Sequence, residues 1–285
     1  MDKLTVRPML RDELETAVEW AAREGWNPGL RDADVFWETD PEGFLAAEAD
    51  GRMVGCGSMV SYDGDYGFVG FFIVEPGRRH EGIGFPHLGG ALLESARKRL
   101  KPSAPVGIDG VFAAQEAYAR YGFVFSHRNL RMAGIGQAAT PAGYLSELSR
   151  VPFSEVEACD FRHFGFSRRR FLERWIKPAG GLALGAVSEG RLTGYGVVRP
   201  CREGYKIGPL FAETSEIADD LYRALADRAS GYPVYLDTPE NNPAALALAE
   251  RHGLKEVFGC ARMYLGEAPA LPWENIYGVT TFELG

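Results

Sequence analysis

The run Arg79-His80-Glu81-Gly82-Ile83-Gly84 follows an apolar stretch ending Phe72-Ile73-Val74 and precedes Leu88, Leu92, Ala96 and Leu100 at helical spacing. It therefore reads as a turn from a strand into a helix. Such a turn offers free backbone N–H groups and the positive end of a helix dipole, which together suit an anion. Glycines at 82 and 84 let the backbone approach a phosphate with no Cβ in the way. Arg79, with Arg78 beside it, adds a charged donor. Other phosphate loops fit badly. No Gly-Lys-Ser/Thr is present, which excludes a Walker loop, and no third glycine stands at dinucleotide-fold spacing. The cysteines, Cys56, Cys159, Cys201 and Cys260, and the histidines, His80, His87, His127, His163 and His252, show no metal-ligand spacing. The expectation is a metal-free site and small buried thiols in a reducing cytosol.

The elements that must position this loop are read from periodicity and from an internal repeat. Asp50-Gly51-Arg52-Met53-Val54-Gly55-Cys56-Gly57 recurs as Glu189-Gly190-Arg191-Leu192-Thr193-Gly194-Tyr195-Gly196. Each reads as a β-hairpin with a tight acidic-Gly turn. Arg120-Tyr121-Gly122-Phe123 then recurs as Arg251-His252-Gly253-Leu254, and Arg131-Met132 as Arg262-Met263. The matches keep their order, so the chain reads as two related halves joined somewhere in 133–143. The second half is shorter between the same landmarks. Its strand 205–211 runs almost directly into a helix beginning near Thr214, with no glycine-arginine loop between. In the first half the pattern predicts strands 4–7, 42–49, 52–61, 66–75, 104–109 and 123–132. Helices are expected over 11–24, 30–38, 85–100 and 114–121. That is an α/β plan (α+β in its mixed sheet), a twisted sheet flanked by helices.

Arg79-x-x-Gly82-x-Gly84, after a strand ending Ile73-Val74-Glu75-Pro76, resembles the acetyl-CoA loop of the GNAT superfamily of N-acetyltransferases. The helix end Tyr118-Ala119-Arg120-Tyr121-Gly122-Phe123 resembles a second feature of that family, at the expected separation. The resemblance covers residues 1 to about 133. The second half, with its closing segment 276–285, resembles the degenerate GNAT-like domain of a bacterial two-domain subfamily. The expected division is a catalytic, acetyl-CoA-binding domain over 1–135 and a degenerate domain over 136–285. The resemblance implies attack of an acceptor amine on the thioester of acetyl-CoA in a ternary complex. Arg79, His80, Glu81, Gly82, Ile83 and Gly84 would hold the pyrophosphate. Phe72, Ile73 and Val74 would pair with the pantetheine and offer a backbone N–H to the carbonyl oxygen, and Tyr118 would protonate the departing thiolate. Asp109 would bind or deprotonate the amine where two strands splay, with Glu75, Glu116 and a water relay as rivals. Trp26 and Asn27, between the first two helices, would line the acceptor pocket. Two departures stand out. Val111 occupies the position where many members carry Asn, and in the second half Asn242 fits that position while Ala249 replaces the tyrosine.

Composition sets the outer limits. The 285 residues are 46% hydrophobic and 25% charged, enough for two cores. A net charge of −8 argues against a nucleic-acid partner, and no long apolar run points to a membrane. The expected partner is a small-molecule amine in the cytoplasm, and nothing in the sequence sets the oligomeric state. Two other readings stay open at this point: a non-catalytic acyl-CoA or small-molecule sensor, and a second half that serves protein interaction. Asp160 and the run Arg168-Arg169-Arg170 either face the acceptor site or form a solvated helix face.

Overall fold

The computed structural model describes residues 4–285. The first half runs β1 (Thr5–Pro8), α1 (Arg11–Arg23), α2 (Asp32–Thr39), β2 (Phe44–Ala49), β3 (Arg52–Tyr62), β4 (Tyr66–Val74), α3 (Gly89–Arg99), β5 (Val106–Val111), α4 (Gln115–Arg120) and β6 (Val124–Ile135). The second half runs β7 (Leu145–Glu147), α5 (Phe153–Phe164), α6 (Arg169–Trp175), β8 (Leu182–Ser188), β9 (Arg191–Pro200), β10 (Tyr205–Ala212), α7 (Ser215–Asp227), β11 (Pro233–Pro239), α8 (Pro243–Arg251), β12 (Lys255–Leu265) and β13 (Ile276–Gly278). The predicted hairpins form in both halves. Asp50-Gly51 and Glu189-Gly190 have positive φ at both positions (55° and 73°; 51° and 79°), the backbone of a two-residue turn that matches strand twist. Helix α1 buries Leu14, Ala17, Val18 and Ala21, one face at helical spacing.

One prediction shifts. The helix expected from residue 85 becomes regular only at Gly89. Phe85 is extended, with φ −104° and ψ 133°, because a residue before proline is driven out of the helical region.

All the strands form a single mixed sheet in the order β1-β2-β3-β4-β5-β12-β6-β11-β10-β9-β8-β7, with β13 added beside β10. The order carries a feature that periodicity does not reveal. Strand β12 of the second half pairs with β5 of the first, β6 of the first half pairs with β11 of the second, and β6 and β12 pair with each other. Each half thus completes its sheet with a strand of the other, β12 beside β5 and β6 beside β11. A buried ion pair locks each exchange. Arg262 stands opposite Asp109 across β12 and β5, and Arg131 stands opposite Asp237 across β6 and β11. Both are two-point pairs: Arg262 Nε to Asp109 Oδ1 at 2.8 Å and Nη2 to Oδ2 at 2.5 Å, and Arg131 Nε and Nη2 to Asp237 at 2.7 and 2.8 Å. The repeated Arg-Met of the sequence is the arginine half of these two locks.

Candidate active site

Strands β4 and β5 run parallel through Gly67–Val106, Phe68–Gly107 and Val69–Ile108, and there their pairing stops. Beyond that point β4 bulges. Cys56 pairs with Ile73 and Ser58 with Gly70, so Phe71 and Phe72 together oppose Gly57. Phe71 has φ +48°, a backbone that non-glycine residues rarely adopt. The bulge and the splay leave an edge of β4 that no strand of the described residues covers.

A pocket opens in this gap. Trp26, Gly70, Phe72, Asp109 and Tyr118 line it, together with Phe258, Cys260 and Phe282 from the second half. Four of the residues singled out in the sequence, Trp26, Phe72, Asp109 and Tyr118, are therefore brought together. The Tyr118 ring lies against β5 at Gly110, where any Cβ would come within 2.3 Å of it. Only glycine allows that approach. Phe72, Phe85 and Phe123 surround the ring with centroids 5.9–6.4 Å away. Among the described residues the Tyr118 hydroxyl has no hydrogen-bond partner, and burial pushes its phenol up. The group stays protonated through the physiological range and remains free to donate.

Asp109 is differently placed. Both oxygens bind Arg262, and Asn129 Nδ2 donates to Oδ1 at 2.8 Å. Both carboxylate oxygens are thus taken up in an ion pair that ties β12 to β5. Its counterpart Asp237 makes the same pair in the half with no open gap, which marks the arrangement as a strand lock. Asn27 also departs from expectation. Its side-chain amide exchanges two hydrogen bonds of 2.9 Å with the backbone of Glu203 in the turn before β10. It clasps the second half and is not part of the pocket wall.

The loop after β4 begins as a turn of 3-10 helix, Pro76–Glu81. It ends at Gly82, whose φ of +75° lies in the left-handed region. Arg79 donates from Nε to the Val74 carbonyl at 3.1 Å and pairs through Nη2 with Glu24. His80 and Glu81 are exposed, and Glu81 pairs with Arg78 at 2.6 Å. Ile83 is buried below the loop, against Gly55 and near the buried Ile73 and Val74. Gly84 lies beside the Phe72 ring. The loop thus sits at the open end of the uncovered β4 edge, with Arg79 and Gly82 facing outward above a buried isoleucine anchor.

The second half has the same splay, filled. Strands β10 and β11 pair through Tyr205–Val234, Lys206–Tyr235 and Ile207–Leu236 and then part. Strand β13 enters the opening, pairs with β10 at Leu210 and Phe211, and Val279 N donates to the Asp237 carbonyl at 2.8 Å. Arg168, which the sequence left between two readings, is buried. It binds both oxygens of Asp160, Thr280 Oγ1 at 2.9 Å and the Gly285 carbonyl at 3.3 Å. Arg169 and Arg170 are exposed.

Comparison with known proteins agrees with this geometry. A sequence model described as the acetyltransferase (GNAT) family matches residues 8–123, and one described as an acetyltransferase (GNAT) domain matches residues 156–278. The holothin acyltransferase of Pseudoalteromonas sp. (strain SANK 73390) is 30% identical over 99% of this chain and 94% of its own. The chain belongs to the GNAT acetyltransferase family. It is an acyltransferase built from two GNAT-type halves. Among solved structures, a provisionally assigned acetyltransferase of Pyrococcus horikoshii has a TM-score of 0.83 at 24% identity, covering 99% of this chain and 96% of that one. A tandem GNAT protein from the clavulanic acid biosynthesis pathway has a TM-score of 0.63 at 18% identity, covering 94% and 100%. At those identities the structures speak for the fold alone.

Among the described residues no helix is long and apolar enough to cross a membrane, and no cluster of three or more His, Cys, Asp or Glu forms a metal site. Sequence reasoning gave the second half a share in walling the acceptor site but did not name the residues that provide it, Phe258, Cys260 and Phe282. The repeated arginine was the one available signal, because it marks the strands that change places.

Proposed function

We propose that the enzyme transfers the acetyl group of acetyl-CoA to the amine of a small molecule, by direct attack with both substrates bound. The observation that carries this reading is the uncovered β4 edge, with the loop 79–84 at one end and Tyr118 at the other. In this reading residues 1–135 carry the catalytic domain and 136–285 a degenerate one. Arg79 and the backbone of 80–84 hold the pyrophosphate, and Arg79 leaves Glu24 to do so. The backbone of Phe72, Ile73 and Val74 pairs with the pantetheine arm and directs an N–H at the carbonyl oxygen, a contact worth ~2.7–4 kcal/mol where charge develops. The amine nitrogen bonds to the thioester carbon, the C–S bond breaks, and Tyr118 gives its proton to the departing sulfur. Asp109 positions β12 against the pocket. In the second half β13 occupies the corresponding slot, which leaves one acetyl-CoA site per chain. The aromatic wall of Trp26, Phe72, Phe258 and Phe282 favours a flat, apolar acceptor. Four free buried cysteines fit a cytoplasmic enzyme.

The test is release of CoA thiol from acetyl-CoA in the presence of holothin, benzylamine and ethanolamine in turn. The Pseudoalteromonas relative is named for holothin, and the aromatic wall predicts that holothin or benzylamine outpaces ethanolamine. Binding of acetyl-CoA without turnover on any of the three would favour the sensor reading.

A further inference from the structure

Amine attack requires a proton acceptor, and Asp109 has neither oxygen free. The closing segment supplies another carboxylate. Glu283 is 2% exposed, and both of its oxygens are buried with no hydrogen-bond partner. Burying a carboxylate in that state costs several kcal/mol, so its persistence points to a polar occupant that satisfies it. Its position is fixed by the backbone. Thr281 Oγ1 accepts from the N–H groups of Glu283 and Leu284 at 3.0 and 2.9 Å. Tyr62 donates to the Leu284 carbonyl at 2.7 Å.

The Glu283 backbone lies directly behind the pocket. A Cβ on Gly70, a pocket residue in the β4 bulge, would lie 2.0 Å from the Glu283 carbonyl oxygen and 3.2 Å from its Cα. The preceding residue, Phe282, lines the pocket, as does Cys260, which lies within electrostatic reach of Glu283.

The charges around it leave Glu283 with one partner at a distance. Arg131 on β6 is matched by Asp237 on β11, and Arg199 on β9 by Asp32 on α2 at 2.8 and 3.1 Å. The remaining cation is Lys206 on β10. Its ammonium is buried, reaches the Trp26 carbonyl at 3.3 Å and has no carboxylate within ion-pair distance. Trp26 also lines the pocket. Among the described residues, a buried carboxylate without a hydrogen-bond partner and a buried ammonium without an ion-pair partner thus lie behind the pocket, beyond ion-pair distance of each other. Arg199 Nη1 is likewise buried without a partner. Buried groups left unpaired in this way are commonly satisfied by an internal water.

Resting on the acetyl-transfer reading above, we propose that Glu283 is the proton acceptor for the acceptor amine, through the water that its two oxygens require. As the nitrogen bonds to the thioester carbon, its proton passes to that water, and a proton of the water passes to Glu283. The C–S bond breaks, and Tyr118 protonates the sulfur. Lys206 holds the same water chain from its other side and steers the oxygen lone pairs toward the amine. The acid thus comes from the first half and the base from the second, so neither half alone carries the reaction.

Glu283→Gln keeps the shape and removes the base, and Glu283→Asp keeps the carboxylate. With acetyl-CoA and the fastest amine of the panel above, Glu283→Gln should lower kcat by ~10²–10⁴-fold. Its acetyl-CoA affinity and melting temperature should stay near those of the parent. The Asp variant should recover most of the rate that the Gln variant loses. A Gln variant with parental kcat overturns the proposal. So does an Asp variant as slow as the Gln variant while folded. No turnover by the parent on any amine of the panel fails the transfer reading itself, a different result from a fast Gln variant.

Discussion

Tyr118 combines two properties that rarely coincide: deep burial and a hydroxyl with nothing to bind. The first keeps it protonated, because a phenolate there would be desolvated. The second leaves its proton for a substrate atom. Tyr118→Phe should lower kcat by ~10²-fold or more with little change in acetyl-CoA affinity; pre-steady-state and binding measurements on the same preparation separate the two. His127 shows the opposite use of burial. It packs edge-on against Trp273, and desolvation lowers its pKa to about 3. In the unfolded chain an imidazole titrates near ~6.5. Between those values the unfolded state binds a proton that the folded state refuses, so stability is full above ~6.5 and falls as pH drops toward about 3. His127→Phe keeps the ring contact and removes the titration. Melting temperatures from pH 7 to pH 4 should fall less steeply in that variant, and parallel curves would refute the assignment.

At the scale of elements, the exchanged strands and their ion pairs carry the fold. Arg131→Met leaves Asp237 buried without its partner, and loss of one member of such a pair costs ~3–5 kcal/mol. The variant should unfold at markedly lower denaturant than the parent. The glycine of the loop is tested at the same scale. Gly82→Val forces a branched side chain into the left-handed region, at ~1–2 kcal/mol. Acetyl-CoA affinity should weaken by about tenfold, while the melting temperature moves little because the loop is exposed.

Here the reach of the sequence can be judged from particular residues. The hairpins at Asp50-Gly51 and Glu189-Gly190 were legible, because turn chemistry is local. The gathering of Trp26, Phe72 and Tyr118 was expected from the family resemblance, not from local pattern. The strand exchange was not legible, because β6 and β12 have similar patterns and either could complete either half. The ion pair of Asp109 was not legible for the same reason: its partner Arg262 comes from a strand that no local signal assigns to β5. Asn27 was misplaced because its partner, the turn at Glu203, lies far away in sequence.

At the scale of the whole molecule, the two halves form one sheet, and their likeness conceals a division of labour. The slot between β4 and β5 is open, and the matching slot between β10 and β11 holds β13. Residues 1–135 expressed alone should not fold as a stable monomer, since β5 loses β12 and β6 loses both of its neighbours. Co-expression with 136–285 should restore a folded complex, and a cooperative melt of the isolated fragment would count against the interlocked sheet. The central claim, one acetyl-CoA site formed by the first half, is tested most directly by calorimetric titration of the full chain with acetyl-CoA. The account predicts one site per chain, lost on Gly82→Glu. Two sites, or a single site that survives Gly82→Glu, would contradict it.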